Sequence, residues 1–110
     1  MVSITILYDG ENIKGFKAQG HAGYAKKGED IYCAGVSAIT GTALIGLQKH
    51  LSKPPFYETK DGWLHCKIAE SLNQTDTHKA QLILSTMEAG LISLQDAYPQ
   101  YIKVIQGGFK

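Results

Sequence analysis

The apolar positions of this chain change period repeatedly along its length, from two to helical and back, and that order limits the folds open to it. Val2, Ile4, Ile6 and Tyr8 alternate with Ser3, Thr5 and Leu7, which reads as a strand. Asp9-Gly10-Glu11-Asn12 is turn chemistry, and Ile13 to Gly20 sets Phe16 and Ala18 on one face, so the two segments form an antiparallel hairpin. From Ile31 to about Leu51 the apolar residues Val36, Ala43, Leu44, Leu47 and Leu51 follow helical spacing, with Lys49 and His50 suited to the C-terminal end. Pro54-Pro55 ends that region. Phe56 to Thr59, a turn at Lys60-Asp61-Gly62, and Trp63 to Ala69 read as a second hairpin. A second helix begins near Asp76 or Thr77, either of which can cap it, and runs to about Ala97 on a stripe of Ala80, Ile83, Met87, Leu91, Leu94 and Tyr98. After Pro99, Tyr101 to Ile105 is a short final strand before a glycine-rich tail. The expectation is a single α+β domain over residues 1–110, in the order ββαββαβ, with a largely antiparallel five-stranded sheet and two long helices. The pattern leaves strand order open.

A chain of 110 residues, 44% hydrophobic, buries a modest core as one domain. Its apolar runs read as shorter than a membrane span, and the alternating start Met1 to Ile6 differs from a signal-peptide core, so a cytoplasmic protein away from membranes is expected. Reduced thiols are the rule there, so both cysteines should be free. All eleven basic residues are lysine and the formal net charge is +1. Without arginine, which supplies bidentate contacts to phosphate and guanine, direct nucleic-acid binding is not expected.

Cys66 alternates onto the same strand face as Leu64 and Ile68 and reads as core, while His65 points away. Cys33 is different. With Asp30 as N-cap, Ile31, Tyr32 and Cys33 become the first three helical residues, a place where the thiolate form of a cysteine gains from free N–H donors and the helix dipole. His21, at the end of the second strand, can approach it across a polar, glycine-rich loop from Ala22 to Glu29. That pair is the minimum for a thiol nucleophile and its base, with helix N-terminal amides near Cys33 as candidate oxyanion donors. On residues alone, such a pair is more often coincidence than catalysis. Asp30 has a second reading, as the orienting partner of His21; capping is favoured. Ser37, one turn beyond Cys33, is placed to bond substrate or its own backbone. The small face of Ala34, Gly35, Ala38, Gly41, Thr42 and Gly46 is better explained by close packing than by room for substrate. A metal is not expected, because the histidines and cysteines lack any Cys-x-x-Cys or His-x-x-x-His pair. His50 and His78 lie near proposed helix ends, where solvated or capping roles are ordinary.

Gly20-His21-Ala22, followed by Gly28-x-Asp30-Ile31-x-Cys33-Ala34 and then Ser37, resembles the ribosomal-processing cysteine protease family, Prp. The likeness covers essentially the whole chain; Tyr32 and Gly35 stand where that family often carries valine or alanine. The resemblance implies Cys33 as nucleophile and His21 as proton-transfer partner, supported by Gly20, Asp30, Ala34 and Ser37, with no cofactor. It also implies a substrate, the short N-terminal extension of the large-subunit ribosomal protein L-twenty-seven, cut after an aromatic residue during ribosome maturation. It implies a homodimer, and an active-site loop that shifts when peptide enters. Two other readings stay beside it: a noncatalytic dimeric ribosome-assembly module that binds the same tail, and a thiol hydrolase of small esters.

Overall fold

Alternation in β1 (Val2–Asp9) buries Val2, Ile4 and Ile6, and the same rule in β2 (Asn12–Gln19) buries Phe16 and Ala18. The computed structural model describes residues 1–20 and 30–108. The remaining elements are α1 (Ile31–His50), β3 (Phe56–Lys60), β4 (Trp63–Lys67), α2 (Gln74–Ala97) and β5 (Ile102–Gly108), in the expected order. They build one five-stranded sheet in the order β3-β4-β2-β1-β5. Every neighbouring pair is antiparallel except β1 with β5, which run parallel from Val2 beside Ile102 to Tyr8 beside Gly108. Both expected hairpins are present, turning at Gly10 and Gly62 with φ of 64° and 71°, where a side chain would be strained.

The core lies between the sheet and the two helices. Val36, Ala43 and Leu47 of α1 and Ala80, Leu84, Met87 and Leu91 of α2 close over Ile4, Ile6, Phe16, Cys66 and Ile102. Thr40, also buried, removes its hydroxyl from that apolar setting by donating to the Val36 carbonyl oxygen at 2.9 Å. The small-residue face of α1 packs as expected at two of its glycines: a Cβ on Gly35 would lie 3.5 Å from Leu94 Cδ2, and one on Gly46 3.6 Å from Ile83.

Several boundaries differ from the sequence expectation. Helix α2 starts before Asp76 because Asn73 is its cap, its side-chain oxygen accepting from the Asp76 N–H at 2.7 Å. Asp76 is instead buried, accepting from the Ser52 N–H at 2.9 Å and from the Ser52 hydroxyl. Those bonds hold its carboxyl below the usual carboxylate range and tie the segment after α1 to the first turn of α2. Leu84 belongs to the buried stripe, and Tyr98 is a 42% exposed C-cap. Strand β4 stops at Lys67, and β5 continues through Gly108, because the parallel ladder to β1 extends past Ile105. Helix α1 is also, by length and composition, apolar enough to cross a membrane, against the reading that no run is long enough; here one side of it packs on the core.

Candidate active site

Two backbone donors place Cys33. The Tyr32 and Cys33 N–H groups both donate to Asp30 Oδ1 at 3.0 Å, and the Ala34 N–H donates to the Asp30 carbonyl oxygen at 3.0 Å, starting the helix. Asp30 is therefore the N-cap expected, 4% exposed with extended backbone (φ −79°, ψ 107°). Cys33 stands in the first turn, partly exposed, at the positive end of a 20-residue helix. Among the helix N-terminal amides near Cys33, those of Tyr32 and Cys33 itself donate to the cap.

Cys33 opens onto a cleft of about 530 Å³ between α1 and the β3–β4 hairpin. Ala34, Val36, Ser37, Thr40 and Leu44 form the helix wall, with Ser37 exposed and Thr40 buried. Tyr57 and Thr59 of β3, then Leu64 of β4, form the opposite wall. Ala18 and Gln19 of β2, and Gly20 at its end, also line the cleft. Gly20, at φ 91°, donates its N–H to the Gly62 oxygen at 2.8 Å, and a Cβ there would lie 2.7 Å from the Met1 oxygen. Glycine is required at that corner. The cleft exists because the helices cover β1, β2 and β5 but leave the core-side face of the β3–β4 hairpin partly open.

The structure thus brings Gly20, Asp30, Cys33, Ala34 and Ser37 to one cleft. His21 lies outside the described residues, as does the loop from Ala22 to Glu29. The sequence reading missed Thr40, Leu44, Tyr57, Thr59 and Leu64 as cleft residues. Their signal was present as alternation: Tyr57 pairs with Cys66 and Thr59 with Leu64, so both point to the core side of an edge strand that neither α1 nor α2 covers.

The other thiol and imidazole behave as structural groups. Cys66 is fully buried, and burial pushes its thiol up to about 12. His65 lies on the opposite sheet face, edge-on to Phe56 and Trp63 at 6.0 and 5.9 Å between ring centroids. Desolvation, then Lys17 and Lys67, lower its pKa.

Comparisons with known proteins point to one family. The family model for cysteine protease Prp matches residues 1–103. The ribosomal processing cysteine protease Prp of Bacillus subtilis (strain 168) is 28% identical over 96 residues, covering 86% of each chain. Its namesake from Staphylococcus aureus (strain Mu50) is 32% identical over 107 residues, covering 94% of each. The crystal structure of the S. aureus protease with a covalently linked product peptide superposes with a TM-score of 0.83 at 28% identity, covering 96% of this chain and 99% of that one. SMU.848 from Streptococcus mutans shares the fold at a TM-score of 0.83 and 22% identity, covering 98% of this chain and 95% of that one. Matched over residues 1–103 by one family model and over nearly its whole length by the S. aureus relative, this chain belongs to the Prp family and is a cysteine peptidase.

Proposed function

We propose that this peptidase removes the N-terminal extension of the large-subunit ribosomal protein L-twenty-seven by cutting after an aromatic residue, with Cys33 as nucleophile and His21 as its proton-transfer partner. The observation that carries the reading is the position of Cys33, partly exposed at the cleft in the positive first turn of α1, while the other cysteine is sealed in the core. Support for the substrate comes from the relatives, which are named for ribosomal processing, and from a solved relative carrying a substrate peptide. Support for an aromatic side chain at the cut comes from the apolar part of the cleft, where Val36, Leu44, Tyr57 and Leu64 offer a ring the surface it needs to leave water.

His21 takes the thiol proton as Cys33 Sγ adds to the scissile carbonyl carbon, and the tetrahedral intermediate collapses as His21 passes that proton to the departing amine. The thioester left on Cys33 is hydrolysed by water, with His21 taking the proton, which restores the thiol and releases the carboxylate. No cofactor enters. Gly20 precedes His21 directly in sequence and lines the same cleft as Cys33, which supports the pairing.

Cytoplasmic action on a ribosomal protein and pairing of two copies complete the reading. Pairing is supported by the outer side of the helix layer. From Ile31 to Gln48 there is no charged residue, and between Lys79 and Asp96 only Glu88, which accepts from the Tyr8 hydroxyl. A groove of about 640 Å³ runs there between Ala38, Thr42 and Gly46 of α1 and Leu82, Ile83 and Thr86 of α2. Ile45 and Leu82, 63% and 57% exposed, stand beside it, so one face holds both ridge and groove, as a twofold contact needs. The noncatalytic module and the small-ester hydrolase give way to the peptidase assignment.

The test is mass spectrometry of a synthetic peptide carrying the ribosomal protein's extension, incubated with wild type, Cys33→Ala and His21→Ala, all shown folded by circular dichroism. One cut after the aromatic residue, lost in Cys33→Ala and strongly slowed in His21→Ala, is expected. Cleavage by Cys33→Ala at the wild-type rate would overturn the assignment.

A further inference from the structure

Tyr32 is bracketed between the cap and the cysteine, and its ring leaves the helix on the side away from the cleft. It stacks face to face on Tyr101, with ring centroids 4.4 Å apart and planes 8° from parallel, and meets Tyr98 at 4.9 Å and 58°. Tyr98 and Tyr101 bound the tight turn between α2 and β5: the Tyr101 N–H donates to the Tyr98 carbonyl oxygen at 3.1 Å, and the Ile102 N–H to the same oxygen at 3.2 Å. The Tyr101 carbonyl oxygen in turn accepts from the Val2 N–H at 2.8 Å, which fastens the turn to the start of β1.

This matters because the cap alone leaves one freedom. Asp30 holds two N–H groups of the first turn and so fixes where the helix begins, while what the side chains of that turn pack on fixes which way each of them faces. Successive residues differ by about 100° around the axis, so the direction of Tyr32 sets that of Cys33. Gly35 and Ile39 continue the Tyr32 side against Leu94 and Gly90 of α2, whereas Cys33, Thr40 and Leu44 face the cleft. A rotation of roughly 20° moves a side-chain atom by about 1 Å, and a displacement of that size near reacting atoms costs up to about a hundredfold in rate.

We infer that Tyr101, through its stack on Tyr32, is a positioning residue for the nucleophile: it sets the rotation of the first turn of α1 and so aims Cys33 into the cleft. The inference rests on Cys33 being the nucleophile. Its effect belongs on the chemical step, because none of Tyr32, Tyr98 and Tyr101 lines the cleft.

The test is steady-state cleavage of the same synthetic peptide by Tyr101→Ala, Tyr101→Leu and Tyr101→Phe, well below each melting temperature, with Cys33→Ala alongside. Tyr101→Phe keeps the stacked ring and should retain wild-type kcat. Tyr101→Ala should lose about tenfold in kcat with KM unchanged, matching the worth of an aromatic pair. Tyr101→Leu, which keeps apolar bulk without a ring face, should lose kcat in the same way and decides the matter should the alanine variant not fold. Wild-type kcat in the leucine variant, or a loss confined to KM, would overturn the inference. Cleavage by Cys33→Ala would instead overturn the nucleophile assignment, so the two failures are told apart.

Discussion

Cys33 and Cys66 are the same side chain in two different surroundings. Cys33 sits on the first turn of a capped helix, partly exposed, with a cleft in front of it. Cys66 sits mid-strand, opposite Phe16 on one side and Tyr57 on the other, fully buried, with its thiol pushed up to about 12. Neither contrast is a property of cysteine. The backbone supplies both, through an N-terminus at the positive end of aligned peptide dipoles and a strand whose alternation turns every second residue into the core. A thiol becomes useful where the fold stops covering it.

The largest expected consequence is in alkylation. In the native protein iodoacetamide should label Cys33, while Cys66 waits for unfolding and reacts slower by about a thousandfold or more. Peptide mapping after partial labelling reads the ratio, and comparable labelling in the folded state would break the comparison. Next comes the cap. Asp30→Ala should cost about 1–2 kcal/mol by denaturant unfolding, with a loss of turnover as the first turn frays. Asp30→Asn should hold stability within about 0.5 kcal/mol, because asparagine caps as well as aspartate. Wild-type turnover in the asparagine variant is expected from a carboxylate that only caps; a large loss at equal stability would give Asp30 a second duty toward His21.

Smaller still, Cys66→Ala should lose roughly 1 kcal/mol of stability with turnover unchanged, since the small buried group removed does not line the cleft. A drop in kcat there would show that the two regions are coupled. Least of all, Asp76→Asn should leave both thiols as they are and lower stability at neutral pH, with the difference from wild type closing as pH falls. The Asp76 carboxyl is held below its ordinary value, so its contribution is present above the unfolded carboxylate range and lost as pH falls through the folded value. The variant should therefore show a flatter decline below about pH 4.

Much of this was legible in the residues. The alternation around Cys66 and the Asp30-x-x-Cys33 spacing each express a local rule, and local rules survive folding: the core thiol, the cap and both hairpins are where the pattern placed them. What escaped was relational. The parallel pairing of β5 with β1 joins residues about a hundred positions apart, and nothing in either segment names its partner. The cleft escaped for the same reason. Tyr57 and Thr59 alternate toward the core as a strand should, but whether a helix covers them depends on where α1 crosses the sheet. The start of α2 was misplaced because Asn73, Asp76 and Thr77 are all good caps, and Asp76 found a better use with Ser52.

The account stands most directly on which thiol meets a substrate. A peptide copying the ribosomal protein's extension up to its aromatic residue, ended as a chloromethyl ketone, should alkylate the native protein once. Tryptic mapping should place that label on Cys33, the uncleaved substrate peptide should slow it by competition, and Cys66 should remain unmodified. Label on Cys66, or labelling of Cys33 that the substrate peptide leaves unchanged, would contradict the claim that the cleft presents Cys33 to a bound peptide.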